Sequence, residues 1–65
     1  MHILSIAGSD PSSGAGIQGD IKTYSALGAY GLSVVTAITS QNTLKFSKVQ
    51  EVSSDMIKSQ LDSVL

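Results

Sequence analysis

Apolar residues are spaced differently in successive stretches of the chain, and the spacing predicts its elements. Ile3 to Ala7 is a nearly continuous apolar run, which predicts a buried strand. It stops at Gly8-Ser9-Asp10-Pro11, a turn cluster. From Gly16 the period changes. Ile17, Ile21, Tyr24, Leu27 and Gly28 recur at three- and four-residue spacing, the face of a helix. Ser12 or Ser13 is its expected N-cap, and Gly28 and Gly31 are its stop signals. Leu32 to Thr39 is apolar and β-branched on both alternations, as in a strand covered on both faces. Ser40-Gln41-Asn42-Thr43 closes it. The stretch from Lys45 to Val52 reads equally as loop or short edge strand. A last helix begins near Ser53 or Ser54, with Met56, Ile57, Leu61, Val64 and Leu65 as its apolar stripe.

Strand, helix, strand, helix is the opening of an α/β domain. Its first three elements make one βαβ unit, in which the strands are parallel and the crossover is right-handed. The ends of both strands, Gly8 to Asp10 and Ser40 to Thr43, then share one edge of the sheet. Open α/β sheets bind ligands at that edge. The N-terminus of the first helix opens there too. Two parallel strands need cover on both faces, more than 65 residues supply. Residues 1–65 are therefore expected to be the N-terminal, incomplete part of a single domain.

Composition narrows the function classes. A chain of 65 residues holds one small domain at most. Zinc sites draw on Cys and His, and the chain has no cysteine and a single histidine, His2. No metal site is expected. The net charge of −1 gives no electrostatic case for nucleic acid or an anionic membrane. No apolar run approaches the roughly 20 residues of a membrane span. The start of the chain lacks the basic region of a signal peptide. The absence of cysteine fits a cytoplasmic location.

The segment GAGIQG, Gly14 to Gly19, satisfies the pattern G-x-G-x-x-G. The dinucleotide fingerprint places its first glycine directly after the strand and an acidic residue about 20 positions on. Here Gly8 to Ser13 intervene, and after Asp20 the next acidic residue is Glu51. A Walker loop is excluded because no Lys-Ser or Lys-Thr follows the glycines. A flexible strand-to-helix connection explains Gly14 and Gly16. It leaves Gly8 and Asp20 without a role.

The stretch AGSDPSSGAGIQGDIKTYSALGAYGLSVVTAITSQNT resembles the start of the hydroxymethylpyrimidine/phosphomethylpyrimidine kinase family, ribokinase-like enzymes of thiamine biosynthesis. A-G-S-D-P, G-A-G-I-Q-x-D-I-K-T, L-G-A-Y-G and Q-N-T occur in order. Ser13 stands where a glycine is common, Gly19 where alanine is common, and LKFSKVQ departs from a more glycine-rich loop. The resemblance implies a ribokinase-like three-layer α/β fold, with only the first β-α-β-α portion present. It implies transfer of the γ-phosphoryl group of ATP to 4-amino-5-hydroxymethyl-2-methylpyrimidine, and then to its monophosphate. It implies ATP and Mg2+ as cofactors, bound mainly beyond these residues, and no catalytic residue within them. The complete protein would be cytoplasmic and a possible homodimer. Three substrate-binding residues carry over. Gly8 is the position where backbone approaches the ring, Asp20 a carboxylate on its polar edge, and Gln41 a side-chain amide facing it. A 4-aminopyrimidine presents an amine and ring nitrogens. It needs an acceptor beside a donor, which Asp and Gln together supply.

The residues alone leave other roles open. Asp20 is also a candidate first-turn carboxylate favoured by the helix dipole, and Gln41 a solvated strand-end amide. Ser9 and Asp10 read as turn formers. Asn42 and Thr43 either line the pocket or end the strand. Lys45 and Lys48 either attract a substrate phosphate or are solvated. Lys22 faces solvent, His2 is either structural or solvent-facing, and Tyr24 and Tyr30 pack. Two other functions stay in view: a pyridoxal or pyridoxine kinase of the same superfamily, and a non-catalytic remnant or binding module that keeps the ring pocket.

Overall fold

A computed structural model describes residues 1–41, 44 and 46–65, with backbone only at 46. The expected roles of Asn42, Thr43 and Lys45 lie outside the described residues. The order is β1 (His2–Ser9), α1 (Gly16–Ala26), β2 (Tyr30–Gln41), β3 (Phe46–Glu51) and α2 (Ser54–Val64). The three strands form one sheet in the order β1-β2-β3. β1 and β2 are parallel, as the βαβ pattern requires. The undecided stretch is an edge strand, antiparallel to β2.

β1 is longer than the expected run. Gly8 and Ser9 belong to the strand and not to the turn, because Ser9 still pairs with Ile38. The Thr39 hydroxyl also donates to the Ser9 carbonyl at 2.6 Å. The register carries an irregularity there. Ala7 faces Val35 but Ser9 faces Ile38, so β2 advances one residue more than β1. Such a bulge turns later side chains of its strand to the opposite face.

α1 begins without the expected serine cap. Its N-cap is Ala15, which makes no side-chain cap bond. Ser12 directs its hydroxyl to Asp10 instead. Ser13 sits at φ 64°, inside a turn closed by its N–H on the Asp10 carbonyl. Gly28 does stop the helix. At φ 79° its N–H donates to Ser25 O, and Ala29 N–H to Tyr24 O, the bond pair of a Schellman motif. Gly31 is not a stop but a residue of β2. A Cβ there would meet Ile21 Cδ1 at 2.5 Å and Tyr24 Cδ2 at 3.3 Å, so its bareness lets α1 lie close on the sheet. α2 starts where expected. Ser53 caps it, accepting from Met56 N–H at 3.2 Å.

The core is small. Val34 is fully buried and Ile17 nearly so, while Ile6, Ile38 and Val49 each remain 55% exposed. Double-sided cover of β2 therefore holds at Val34 and fails at Ile38. α1 packs on β1 and β2, and α2 on β2 alone among the described elements. No helix among the described residues is long and apolar enough to cross a membrane.

Candidate functional site

The turn after β1 is organised by Asp10, which is only 5% exposed. Its Oδ1 accepts from the Ser12 N–H at 2.9 Å and the Ser12 hydroxyl at 2.7 Å. Its Oδ2 accepts from the Ala15 N–H at 2.9 Å. Ser12 holds the carboxyl below its ordinary value, first through its hydroxyl and then through its N–H. Burial pushes the other way, and the Ala15 N–H and the Gln41 amide add to the lowering. Asp10 is a turn former, as its type predicts. The end of β2 joins this corner through Thr39, whose hydroxyl donates to the carbonyl of Ser9, a tie the sequence did not reveal.

The small residues of this loop have a structural use. Free N–H groups at a helix N-terminus are where a phosphate would sit. Here Asp10 Oδ2 accepts from the N–H of Ala15, the residue that leads into α1. Gly16 stands at φ 61°, and a Cβ on it would collide with the Gly8 carbonyl oxygen. Bare backbone at Gly16 thus lets the helix start directly against the end of β1. Gln18 locks the corner, accepting from Asp10 N–H at 2.7 Å and donating to the Ser9 hydroxyl at 2.7 Å. The only hint of Gln18's role was its place inside GAGIQG.

Gly8 and Gln41 stand at the same end of the parallel pair, as expected. Gly8 is half-buried. A Cβ there would meet Ala37 O at 3.6 Å and Ala37 Cβ at 3.8 Å, ordinary contact distances. Gly8 is not among the positive-φ residues. Asp20 lies further back. It sits past the first turn of α1, where the helix dipole has faded. Its Oδ2 accepts from the buried Ser5 hydroxyl at 2.7 Å. Ser5 precedes Gly8 by roughly 10 Å of strand. Gly8 and Asp20 thus both border the seam where α1 packs on β1.

Other expected roles are placed as follows. Lys22 is exposed, and Tyr24 is half-buried under α1. Tyr30, expected to pack, is instead 64% exposed at the start of β2, and its ring rests 5.1 Å from that of the exposed His2. Among the described residues no His, Asp or Glu cluster could hold a metal ion. An open groove of about 400 Å³ lies on the β2–β3 pair, lined by Ile38, Thr39, Ser40, Lys48, Val49 and Gln50. It includes none of Gly8, Asp10, Asp20 and Gln41, and its size alone does not make it the site.

Residues 10–65 match the protein family described as phosphomethylpyrimidine kinase. The chain is 56% identical over 64 residues to the hydroxymethylpyrimidine/phosphomethylpyrimidine kinase of Salmonella typhimurium, covering 98% of this chain and 24% of that protein. The Rhizobium meliloti enzyme of the same name is 59% identical over 61 residues, covering 94% of this chain and 23% of the relative. The crystal structure of phosphomethylpyrimidine kinase from Clostridium difficile superposes with a TM-score of 0.95 at 53% identity, over 98% of this chain and 30% of that one. Pyridoxal kinase from Staphylococcus aureus, solved with AMP-PCP and pyridoxal, gives 0.86 at 40% identity, over 98% of this chain and 24% of that one. These neighbours share the ribokinase-like α/β fold. The chain spans about a quarter of the length of the curated relatives it matches.

Proposed function

The chain belongs to the phosphomethylpyrimidine kinase family, and from that membership we propose that it supplies the ring-binding part of an ATP-dependent kinase. The substrates are 4-amino-5-hydroxymethyl-2-methylpyrimidine and its monophosphate. Gly8, Asp20 and Gln41 hold the ring. The observation that carries this reading is the fixed corner at the sheet edge. There the end of β1, the start of α1 and the end of β2 are tied through Asp10, Gln18 and Thr39.

Phosphoryl transfer is chiefly a matter of positioning and charge stabilisation. The residues here do the positioning. Gly8 offers bare backbone to the flat ring. Asp20, with Oδ2 held by Ser5, turns Oδ1 toward the ring's amine. Gln41 completes the polar edge. The nucleophile is the substrate's own hydroxyl, so this chain needs no covalent step. The residues present do not fit ATP or Mg2+. Neither a Lys-Ser nor a Lys-Thr pair follows the glycines, and no metal cluster exists among the described residues. Both groups are assigned to parts of the protein outside residues 1–65, and no step is routed through them. A cytoplasmic location and a homodimer belong to the same proposal.

The likeness to a pyridoxal kinase at 40% identity favours one second reading, a pyridine ring in the same seam. Competition between the hydroxymethylpyrimidine and pyridoxine on the complete protein separates them. Higher kcat/KM for the pyrimidine is expected, and the reverse order overturns the assignment. Asp20→Asn tests the site itself. Loss of a charged hydrogen bond, about 1.5–3 kcal/mol, is expected in pyrimidine KM with ATP KM unchanged. Equal loss for both ligands, or none, removes Asp20 from the ring site.

A further inference from the structure

The middle of β1 inverts the usual arrangement of polar and apolar side chains. Ser5 is 4% exposed, while its neighbour Ile6 is 55% exposed. A buried hydroxyl is costly unless it is bonded, and an alanine would fill the same place without that cost. The parallel pairing of β1 with β2 runs through backbone groups and makes no use of the hydroxyl. Its bond goes across the seam to α1, where it donates to Asp20 Oδ2 at 2.7 Å. Asp20 is half-buried. An ionised carboxylate accepts on both oxygens. Among the described residues the Asp20 carboxylate makes that one hydrogen bond, and Oδ1 accepts nothing from them.

We propose that Ser5 is a positioning residue, which pins Oδ2 of Asp20 to the sheet and leaves Oδ1 as the oxygen offered to the ring's amine. The inference rests on the proposed ring-binding role of Asp20. It adds the reason that a polar residue occupies a buried position in the first strand. An aspartate on a helix turns between staggered rotamers, and each turn moves its oxygens. A bond to β1 selects one rotamer, because the strand is itself held in register with β2 at Ser5 and Ser33. Gly8 lies three residues further along the same strand. The carboxylate that meets the ring's edge and the backbone that meets its face are thereby set by one element. The carboxylate is ordered before substrate arrives, which is preorganisation.

The test uses the complete kinase, with KM for the 4-amino pyrimidine and KM for ATP read separately. Ser5→Ala is expected to raise the pyrimidine KM by about ten-fold and to leave the ATP KM unchanged. KM does not depend on how much of the enzyme is folded. Asp20→Ala and the double variant are run beside it. Because Ser5 acts through Asp20, adding Ser5→Ala to Asp20→Ala is expected to raise the pyrimidine KM no further. Unchanged pyrimidine KM in Asp20→Ala removes Asp20 from the ring site, and the role of Ser5 falls with it. A raised KM in Asp20→Ala with an unchanged KM in Ser5→Ala leaves Asp20 in place and overturns the role of Ser5 alone. A Ser5→Ala loss that persists in the Asp20→Ala background, or that is equal for ATP, marks a packing role and overturns it too. The unmutated kinase gives a second measurement if Ser5→Ala does not fold. The Ser5 hydroxyl proton is expected to exchange slowly with solvent, both in the ligand-free protein and with the pyrimidine bound. Fast exchange in either state overturns the inference.

Discussion

The side-chain amide of Gln60 grips the backbone of Val35 at both ends. Val35 N–H donates to Oε1 at 2.8 Å, and Nε2 donates to the Val35 carbonyl at 2.9 Å. β3 pairs with β2 only from Ala37 onward. Gln60 thus does for Val35 what a neighbouring strand would do, and it seats α2 against β2.

Gln60→Leu is expected to destabilise the complete protein by about 1–3 kcal/mol, since both Val35 groups lose their partners while half-buried. Denaturant midpoints check this. An unchanged midpoint would show that water replaces the amide at no cost.

Residues 1–65 alone are expected not to fold stably. Among the described residues Val34 and Ile17 are the buried apolar side chains, and short chains bury too little surface to offset ordering. Amide exchange on the isolated chain is the measurement. Slow exchange from Val34 to Ile38 contradicts the expectation.

Gly8→Ala is expected to preserve stability and weaken substrate binding. The ordinary φ removes the backbone explanation, and a methyl fits at 3.6 Å from Ala37 O. What remains is the space the ring needs. Normal affinity with a lowered denaturant midpoint would take Gly8 out of the site.

Two departures from the family pattern now have opposite physical meanings. Ser13 occupies the left-handed region at φ 64°, which costs a residue with a Cβ about 1–2 kcal/mol. Ser13→Gly is expected to stabilise the protein by about 0.5–1 kcal/mol, the rest being returned to the flexibility of the unfolded chain. Gly19 lies inside α1, and a Cβ there meets nothing closer than 3.6 Å. Gly19→Ala is expected to gain about 0.8–1 kcal/mol of helix propensity. Thermal or denaturant unfolding decides both, and a loss in either case contradicts the geometry.

The Asp10 corner sets an acid limit. Its carboxyl titrates below its ordinary value of 3.8. A carboxyl lowered on folding stabilises the folded state above its unfolded pKa, and that contribution disappears as pH falls through the folded one. The corner is therefore expected to stay intact down to pH 3.8 and to loosen below it. Carboxyl and amide resonances of Asp10, Ser12 and Ala15 followed against pH check this. A midpoint above 3.8 reverses the sign.

The βαβ unit was legible because periodicity reports burial directly, and burial governs both α1 and β2. The strand-end edge followed from handedness. What escaped was whatever depended on one side chain finding a distant backbone. Nothing in the spacing of Ser12 and Ser13 shows that Asp10 takes the place of a serine cap. Nothing near Gln60 shows its bond to a residue 25 positions earlier. The bulge between Ala7 and Ser9 was hidden too. Counted by alternation, Val34 and Ile38 share a face, yet one is fully buried and the other 55% exposed. Asp20 was a candidate first-turn carboxylate, but α1 begins at Gly16 and Asp20 stands beyond its first turn, bonded to the sheet through Ser5.

The two outer strands of the sheet are unequal in how they meet other molecules. β3 carries Lys48 and Glu51, charges of the sort that discourage further strands from adding. β1, with the sequence HILSIAGS, carries no Asp, Glu, Lys or Arg. Among the described residues β1 is the strand with an unguarded outer row of amides and carbonyls, with Ile6 exposed beside it. Self-association of this segment would thus start at its first strand, copy against copy.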